Sequence, residues 1–187
     1  MLHDPNLLVV GGTGRNVGKT EFVCRLIEKI SRTGVVYALK VSAIFPDEEI
    51  YHGNHDGKES AHHLFEETRR ETGKDTSRML RAGASRVFYL RGDDSTILSA
   101  YAAFRRLVPA KAAIICESNS LAESVQPALQ IMIRQKDGII KSRALPRLQL
   151  ADMVVTSDGN SGFPELRKIH YDPQNSWSLS EKSDSTR

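Results

Sequence analysis

The feature that most constrains this chain is a glycine-rich segment, GGTGRNVGKT, at residues 11–20. The apolar run LLVV at residues 7–10 precedes it, and apolar residues at helical spacing follow it between Phe22 and Ile30. A buried strand, a glycine-rich turn and an amphipathic helix in this order are typical of a phosphate-binding loop. The sequence therefore predicts an anion site at the start of the first helix.

Each part of this segment has a role in the predicted site. Glycines let successive backbone N–H groups turn towards one anion, and the helix that starts near Val17 adds the positive end of its dipole. Lys19 is expected to reach the terminal phosphates, and Thr20 to offer its hydroxyl to Mg²⁺. Thr13 stands where GxxxxGK[ST] has its first glycine, so the loop counted from Gly12 is one residue longer. The residues expected to contact the nucleotide here are Gly12, Thr13, Gly14, Arg15, Asn16, Val17, Gly18, Lys19, Thr20 and Glu21.

Length and composition favour one α/β domain. A chain of 187 residues is long enough for one such domain and short for two. Its 26 basic and 23 acidic residues include no long basic run, so we expect no nucleic-acid partner. Two separated cysteines do not suggest a disulfide framework. Without a signal-type segment or an apolar run of about 18 residues, the protein is expected to be cytoplasmic and away from membranes.

Further apolar runs predict the rest of the sheet. The expected strands cover residues 35–41, 85–90, 112–116, 128–133 and 151–156, and the expected helices cover 75–83 and 97–107. A helix remains an alternative for 128–133, because so short an apolar run after a proline is ambiguous. We therefore expect an α/β domain over residues 1–170, in which helices flank a mostly parallel sheet in three layers. The serine-rich, charged tail at 171–187 is expected to be disordered or to serve as a partner-binding strap.

Residues 42–73 give weaker signals. His52, His55, His62 and His63 fall close together and invite a metal hypothesis. Because no cysteine joins them and nearby glycines indicate a loop, a lid or a partner-contact loop is favoured instead. The charged stretch from residue 61 to 70 predicts a surface helix.

Two strand ends add candidate residues beside the phosphate loop. Lys40 and Asp158 end or follow predicted strands, and the carboxyl ends of parallel strands meet at one edge of a sheet. We expect Lys40 to contact the nucleotide, with a solvated lysine as the alternative. A carboxylate at Asp158 can accept both the N1–H and the 2-amino group of guanine, which favours GTP over ATP. The alternative for Asp158 is a turn or helix-capping residue.

The segment GKDTSRMLRAGA at residues 73–84 carries a family resemblance. It resembles the GKDS-then-RKAGA segment of MobB-type proteins, the nucleotide-binding accessory proteins of molybdopterin-guanine dinucleotide biosynthesis. The longer loop GTGRNVGKT resembles that of dethiobiotin synthetase. Both families have Val-Glu-Gly where this chain has Glu117 followed by Ser118. The resemblance covers roughly residues 7–117.

The resemblance implies a P-loop NTPase fold that binds GTP or ATP with Mg²⁺ and hydrolyses it weakly. It further implies a MobB-like accessory role in molybdenum cofactor biosynthesis, with a protein partner from that pathway; a homodimer stays open. Thr20, Asp75 and Glu117 are then the expected Mg²⁺ ligands, and Lys19 and Glu117 the catalytic residues. The alternative is a helix cap for Asp75 and an ordinary strand-end carboxylate for Glu117. Two other functions stay open: an ATP-dependent carboxylate-activating enzyme resembling dethiobiotin synthetase, and a nucleotide-dependent scaffold without turnover.

Overall fold

A seven-stranded, mostly parallel sheet forms the centre of the fold. The computed structural model describes residues 1–43, 64–93, 95–159 and 162–180. The strands are β1 (Leu2–Gly12), β2 (Val36–Ala43), β3 (Leu64–Glu67), β4 (Arg86–Gly92), β5 (Ala113–Glu117), β6 (Val125–Gln135), β7 (Met153–Ser157), β8 (Ile169–Asp172) and β9 (Ser176–Leu179). The helices are α1 (Lys19–Ile30), α2 (Asp75–Arg81), α3 (Ile97–Arg106) and α4 (Leu145–Leu150), with 3₁₀ turns at Leu121–Glu123, Ser142–Ala144 and Pro164–Lys168.

The order of the strands brings the ends of β1, β2 and β5 together. In space the sheet runs β3-β4-β2-β5-β1-β6-β7, and β3 at one edge is antiparallel to its neighbour. Glu117 on β5 lies opposite Val10 of β1 on one side and opposite Lys40 of β2 on the other. The central position of β5 therefore places Glu117 between the strand that leads into the glycine-rich loop and the strand that carries Lys40.

Both faces of the sheet are covered, which confirms the predicted three layers. Side chains alternate between the faces of a strand, and β1 is apolar at every position from Leu7 to Val10 because both faces are buried. Leu8 and Val10 pack in one core with α1, α2 and the β8–β9 hairpin. Leu7 and Val9 pack in a second core with α3. The strands predicted from apolar runs, including the ambiguous run at 128–133, are all present, as are the first helix and the helices predicted at 75–83 and 97–107.

The helix predicted from residue 61 to 70 is wrong over the part that the structure describes. Residues Leu64–Glu67 form β3, which pairs with β4. Glu66 accepts two hydrogen bonds of 2.7 Å from the guanidinium of Arg86 on β4. Such cross-strand partners were not visible in a local pattern of charged residues, and they favour the strand. The histidine-rich segment lies outside the described residues.

The tail predicted to be disordered from Tyr171 is instead ordered as far as residue 180. Strands β8 and β9 form an antiparallel hairpin, and Trp177 is 5% exposed. The Trp177 indole donates to the carbonyl of Asn6 at 2.7 Å, and its ring lies 4.8 Å from that of Tyr171. Lys29 of α1 donates to the Leu166 carbonyl before the hairpin and to the Ile169 carbonyl at the start of β8. Core packing of Ile169 and Trp177 and hydrogen bonds to Asn6, rather than an apolar period, therefore hold this segment on the domain. Residues 181–187 lie outside the description.

Among the described residues, no helix has both the length and the apolar character needed to cross a bilayer.

The hairpin makes a measurable contribution to stability. We expect Trp177→Ala to lower the free energy of unfolding by about 3–5 kcal/mol, because it removes a buried aromatic ring. The exposed His170 on the same hairpin provides a matched control, and His170→Ala should stay within about 0.5 kcal/mol of the parent. Urea denaturation followed by circular dichroism measures both. Equal effects of the two substitutions would mean that the hairpin does not pack on the domain.

Candidate functional site

The loop between β1 and α1 ends in a left-handed residue, Gly18, with φ of 96°. Glycine adopts this conformation without the strain that a Cβ would cause. The first hydrogen bond of α1 runs from the Phe22 N–H to the Gly18 carbonyl at 3.0 Å. The N–H groups of Lys19, Thr20 and Glu21 come before that bond and have no partner within the helix. Together with the helix dipole, these N–H groups give the start of α1 a positive potential that would attract an anion.

Close packing at Gly12 shapes the start of the loop. A Cβ on Gly12 would lie 2.7 Å from Val17 Cγ2 and 2.9 Å from Lys19 Cδ, so another side chain does not fit without movement. The Gly12 N–H donates to Asn119 Oδ1 at 2.7 Å. At Gly14 a Cβ would meet only Val17, at an ordinary 3.5 Å. Gly12, where the backbone packs closely against Val17 and Lys19, is thus the same glycine from which the longer loop GTGRNVGKT is counted.

Lys19 crosses this loop as a half-buried cation. Its Nζ donates to the Gly14 carbonyl at 3.2 Å. Burial lowers the pKa of the Lys19 ammonium; Glu117 counteracts this shift, whereas the positive charges of Lys40 and Lys141 reinforce it. An anion bound next to Lys19 would relieve this repulsion between cations.

A continuous chain of polar contacts joins α1, β5, β2 and α2. Thr20 Oγ1 donates to Glu117 Oε2 at 2.9 Å. Lys40 Nζ contacts Glu117 Oε1 at 3.3 Å and forms a salt bridge with Asp75. Burial by itself lowers the pKa of Lys40, but the two carboxylates outweigh burial and raise it above its usual value. Lys40 therefore stays an ammonium between two acidic side chains.

The oxygen donors in this chain suit Mg²⁺. The hydroxyl of Thr20 and the carboxylates of Glu117 and Asp75 are the ligand types that Mg²⁺ prefers, with water or phosphate completing six positions. Within the described ranges, no group of three or more His, Cys, Asp or Glu side chains could hold a metal by itself. The protein share of a Mg²⁺ site would thus be these three oxygen-bearing side chains. Both carboxylates are at the same time partners of Lys40.

The capping role considered for Asp75 is not observed. Lys74 is the N-cap residue of α2, and it makes no side-chain capping hydrogen bond. Asp75 is the first residue of the helix, and its carboxylate is directed to Lys40.

The other predicted loop residues differ in what they can offer a ligand. The Thr13 N–H donates to the Ile133 carbonyl at 2.9 Å, so it continues the sheet and is not available to a phosphate. The side chains of Thr13 and Val17 are buried, whereas Arg15 and Asn16 are exposed. Of these four residues, only Arg15 and Asn16 can contact a nucleotide through their side chains without rearrangement of the core.

Glu21 is held by two arginines. Its carboxylate pairs with Arg25 at 2.8 Å, one turn further along α1, and with Arg78 of α2 at 2.7 Å. The hydrogen bond from Arg25 contributes most to lowering the pKa of Glu21. Glu21 thus offers a ligand its backbone N–H, while its side chain ties α1 to α2.

Asp158 lies across a cleft from the loop. It follows β7, is exposed, and shares with Gly18 the wall of a cleft of about 300 Å³. The structure therefore brings Asp158 to the same side of the sheet edge as the start of α1. Residues around this cleft include Asn16, Gly18, Glu21, Ser157, Asp158 and Phe163.

Three residues of the site were not predicted from the sequence. Asn119 holds the first glycine of the loop, Arg78 holds Glu21, and Lys141 donates its backbone N–H to the Thr13 carbonyl at 3.3 Å. Asn119 stands two residues after Glu117, so its nearness to the strand end was an available signal. Arg78 and Lys141 reach the loop only through tertiary contacts.

No protein-family model, curated protein or solved structure matches this chain.

Gly12 and Gly14 should respond differently to an added methyl group. We expect Gly12→Ala to lower the free energy of unfolding by about 1–3 kcal/mol, because Val17 and Lys19 must move to admit a Cβ. Gly14→Ala is the matched control and should change it by about 0.5 kcal/mol or less. Urea denaturation compares them. Equal effects would show that the close approach at Gly12 is not a constraint.

Proposed function

We propose that this protein binds a nucleoside triphosphate with Mg²⁺ and hydrolyses it weakly. One observation carries the proposal. Three features adjoin the same loop: the unpaired N–H groups at the start of α1, the half-buried Lys19, and the hydrogen-bonded pair of Thr20 and Glu117. This combination gives backbone donors and an ammonium for phosphate oxygens, and oxygen ligands for Mg²⁺.

Each residue has a role in the proposed reaction. Lys19 would neutralise charge on the terminal phosphates, most strongly as the bond to the leaving group breaks. Glu117 and Thr20 would hold Mg²⁺, with Asp75 as a further ligand. Mg²⁺ supplies charge neutralisation between phosphate oxygens when it is bound.

The pathway part of the proposal rests on the MobB-type resemblance alone. The GKDTSRMLRAGA segment forms α2, and its aspartate faces Lys40. We accordingly propose an accessory role in molybdenum cofactor biosynthesis with a partner protein from that pathway. Fold by itself supports nucleotide binding and no particular pathway.

Carboxylate activation with ATP is a second candidate function. Lys40 favours it, because it brings a second ammonium close to Lys19, and the neighbouring carboxylates raise the pKa of Lys40 despite its burial. A substrate carboxylate could bind Lys40 while phosphate binds Lys19. Nucleotide turnover that rises when small carboxylic acids are added would select this function over the first.

Removing the loop lysine tests the central proposal. We expect Lys19→Ala to weaken triphosphate binding by well over tenfold, because losing one partner of a charge-assisted contact costs about 2–5 kcal/mol. Lys111→Ala is the control, since it removes the same charge from an exposed position just before β5, at the opposite edge of the sheet. Isothermal titration of GTP and ATP with Mg²⁺ measures both variants. Unchanged affinity in Lys19→Ala would exclude this loop as the phosphate site.

Base selectivity is proposed to come from Asp158. Its carboxylate lines the cleft beside Gly18, where a base could lie once the phosphates occupy the loop. One carboxylate accepts the N1–H and the 2-amino group of guanine together, and adenine has no such pair of donors. The side chain of Phe163 supplies an apolar wall of the same cleft.

The ratio of GTP to ATP affinity tests this role. We expect the parent to prefer GTP, and Asp158→Asn to reduce the preference by about tenfold, because an amide N–H meets the guanine donors. Competition titrations with both nucleotides give the ratio. A ratio that is the same in parent and variant would remove Asp158 from the base site, while leaving the phosphate site untouched.

A further inference from the structure

Lys40 occupies the position between the two carboxylates that are proposed to bind Mg²⁺. Its ammonium contacts Glu117 Oε1 at 3.3 Å and is ion-paired with Asp75. The other oxygen of Glu117 accepts the hydroxyl of Thr20. Every side chain expected to ligate the metal is therefore linked to this one ammonium, directly or through Glu117.

This arrangement is an internal charge balance. Two carboxylates next to each other repel, and a cation between them removes that repulsion. Lys40 comes from β2, and its register opposite Glu117 is set by the sheet. Its side chain is mostly buried, with 21% exposed, so water screens these contacts only partly.

We propose that Lys40 acts as a built-in competitor of the divalent cation, so that metal binds well only when a phosphate gives Lys40 another anionic partner. A divalent cation and the Lys40 ammonium then use the same oxygens of Glu117 and Asp75. Metal entry requires the ammonium to leave, and its departure is unfavourable without a new counter-ion. The phosphate part of this mechanism rests on the proposed function; the competition itself rests only on the contacts of Lys40.

The mechanism couples metal and nucleotide. Each ligand lowers the cost of binding the other, and by thermodynamic linkage the coupling is the same in both directions. Lys19 strengthens the effect, because it places a second positive charge close to Lys40, and a triphosphate would neutralise both ammonium groups. A site built in this way avoids holding free metal in the absence of nucleotide.

Metal binding to the nucleotide-free protein tests the competition directly. The probe is Mn²⁺, which takes oxygen ligands as Mg²⁺ does and whose free concentration is read by electron paramagnetic resonance. We expect Lys40→Met, which keeps the length of the side chain but removes its charge, to lower the Mn²⁺ Kd by about tenfold or more. Lys40→Arg keeps the charge and should leave the Kd near that of the parent. Circular dichroism confirms that each variant is folded.

Two further variants make the result decisive. The double variant Lys40→Met/Asp75→Asn should bind Mn²⁺ no more tightly than the parent, because the tighter binding of Lys40→Met needs both carboxylates. Lys40→Gln serves in place of Lys40→Met if the latter does not fold. Any of three results overturns the proposal: the neutral variant binds Mn²⁺ no more tightly than the parent, Lys40→Arg lowers the Mn²⁺ Kd as much as the neutral variant does, or the double variant keeps the lowered Kd.

The same experiment separates this inference from the proposed function. Failure of the parent to bind triphosphate would remove the nucleotide function but would leave the metal-only comparison valid. If triphosphate does bind, it should tighten Mn²⁺ binding in the parent by a larger factor than in Lys40→Met. Equal tightening in the two proteins would overturn the coupling.

Discussion

Parallel pairing of β5 between β1 and β2 is the constraint on which the candidate site depends. It puts the residue that ends β5, Glu117, opposite Lys40 on one side and next to the strand that enters the glycine-rich loop on the other. Because side chains on the two faces of these strands pack in two different cores, a shift in register would force both cores to repack. The packing of the core thus sets the positions of the polar groups at the edge of the sheet.

Charge at that edge is balanced within the protein. Lys19 and Lys40 carry like charges close together, and Glu117 favours the charged form of both. The N–H groups at the start of α1, which have no partner within the helix, add further positive potential. This distribution of charge is the basis on which we propose a ligand that brings several negative charges.

The local sequence pattern predicted an element correctly where the residues of that element carry the signal. It failed where contacts with a distant segment of the chain determine the structure. The apolar runs of β1, β2, β4, β5, β6 and β7 were recognised because a strand buried on both faces is apolar throughout. The segment at Leu64–Glu67 was misjudged as a helix, because its charged residues are stabilised by a neighbouring strand. The β8–β9 hairpin was misjudged as disordered, because its order depends on Trp177 reaching Asn6, far away in the sequence.

The sequence by itself determined the alternation of strands and helices, the glycine-rich loop and the candidate residues Lys19, Thr20, Lys40, Asp75 and Glu117. All of these follow from apolar period, glycine spacing and motif, which are properties of short stretches of chain. Only the tertiary structure decided that Lys40 lies between Asp75 and Glu117, that Asn119 holds Gly12, and that Arg78 holds Glu21. These contacts join residues from different elements, and the sheet order that brings them together depends on how the whole core packs.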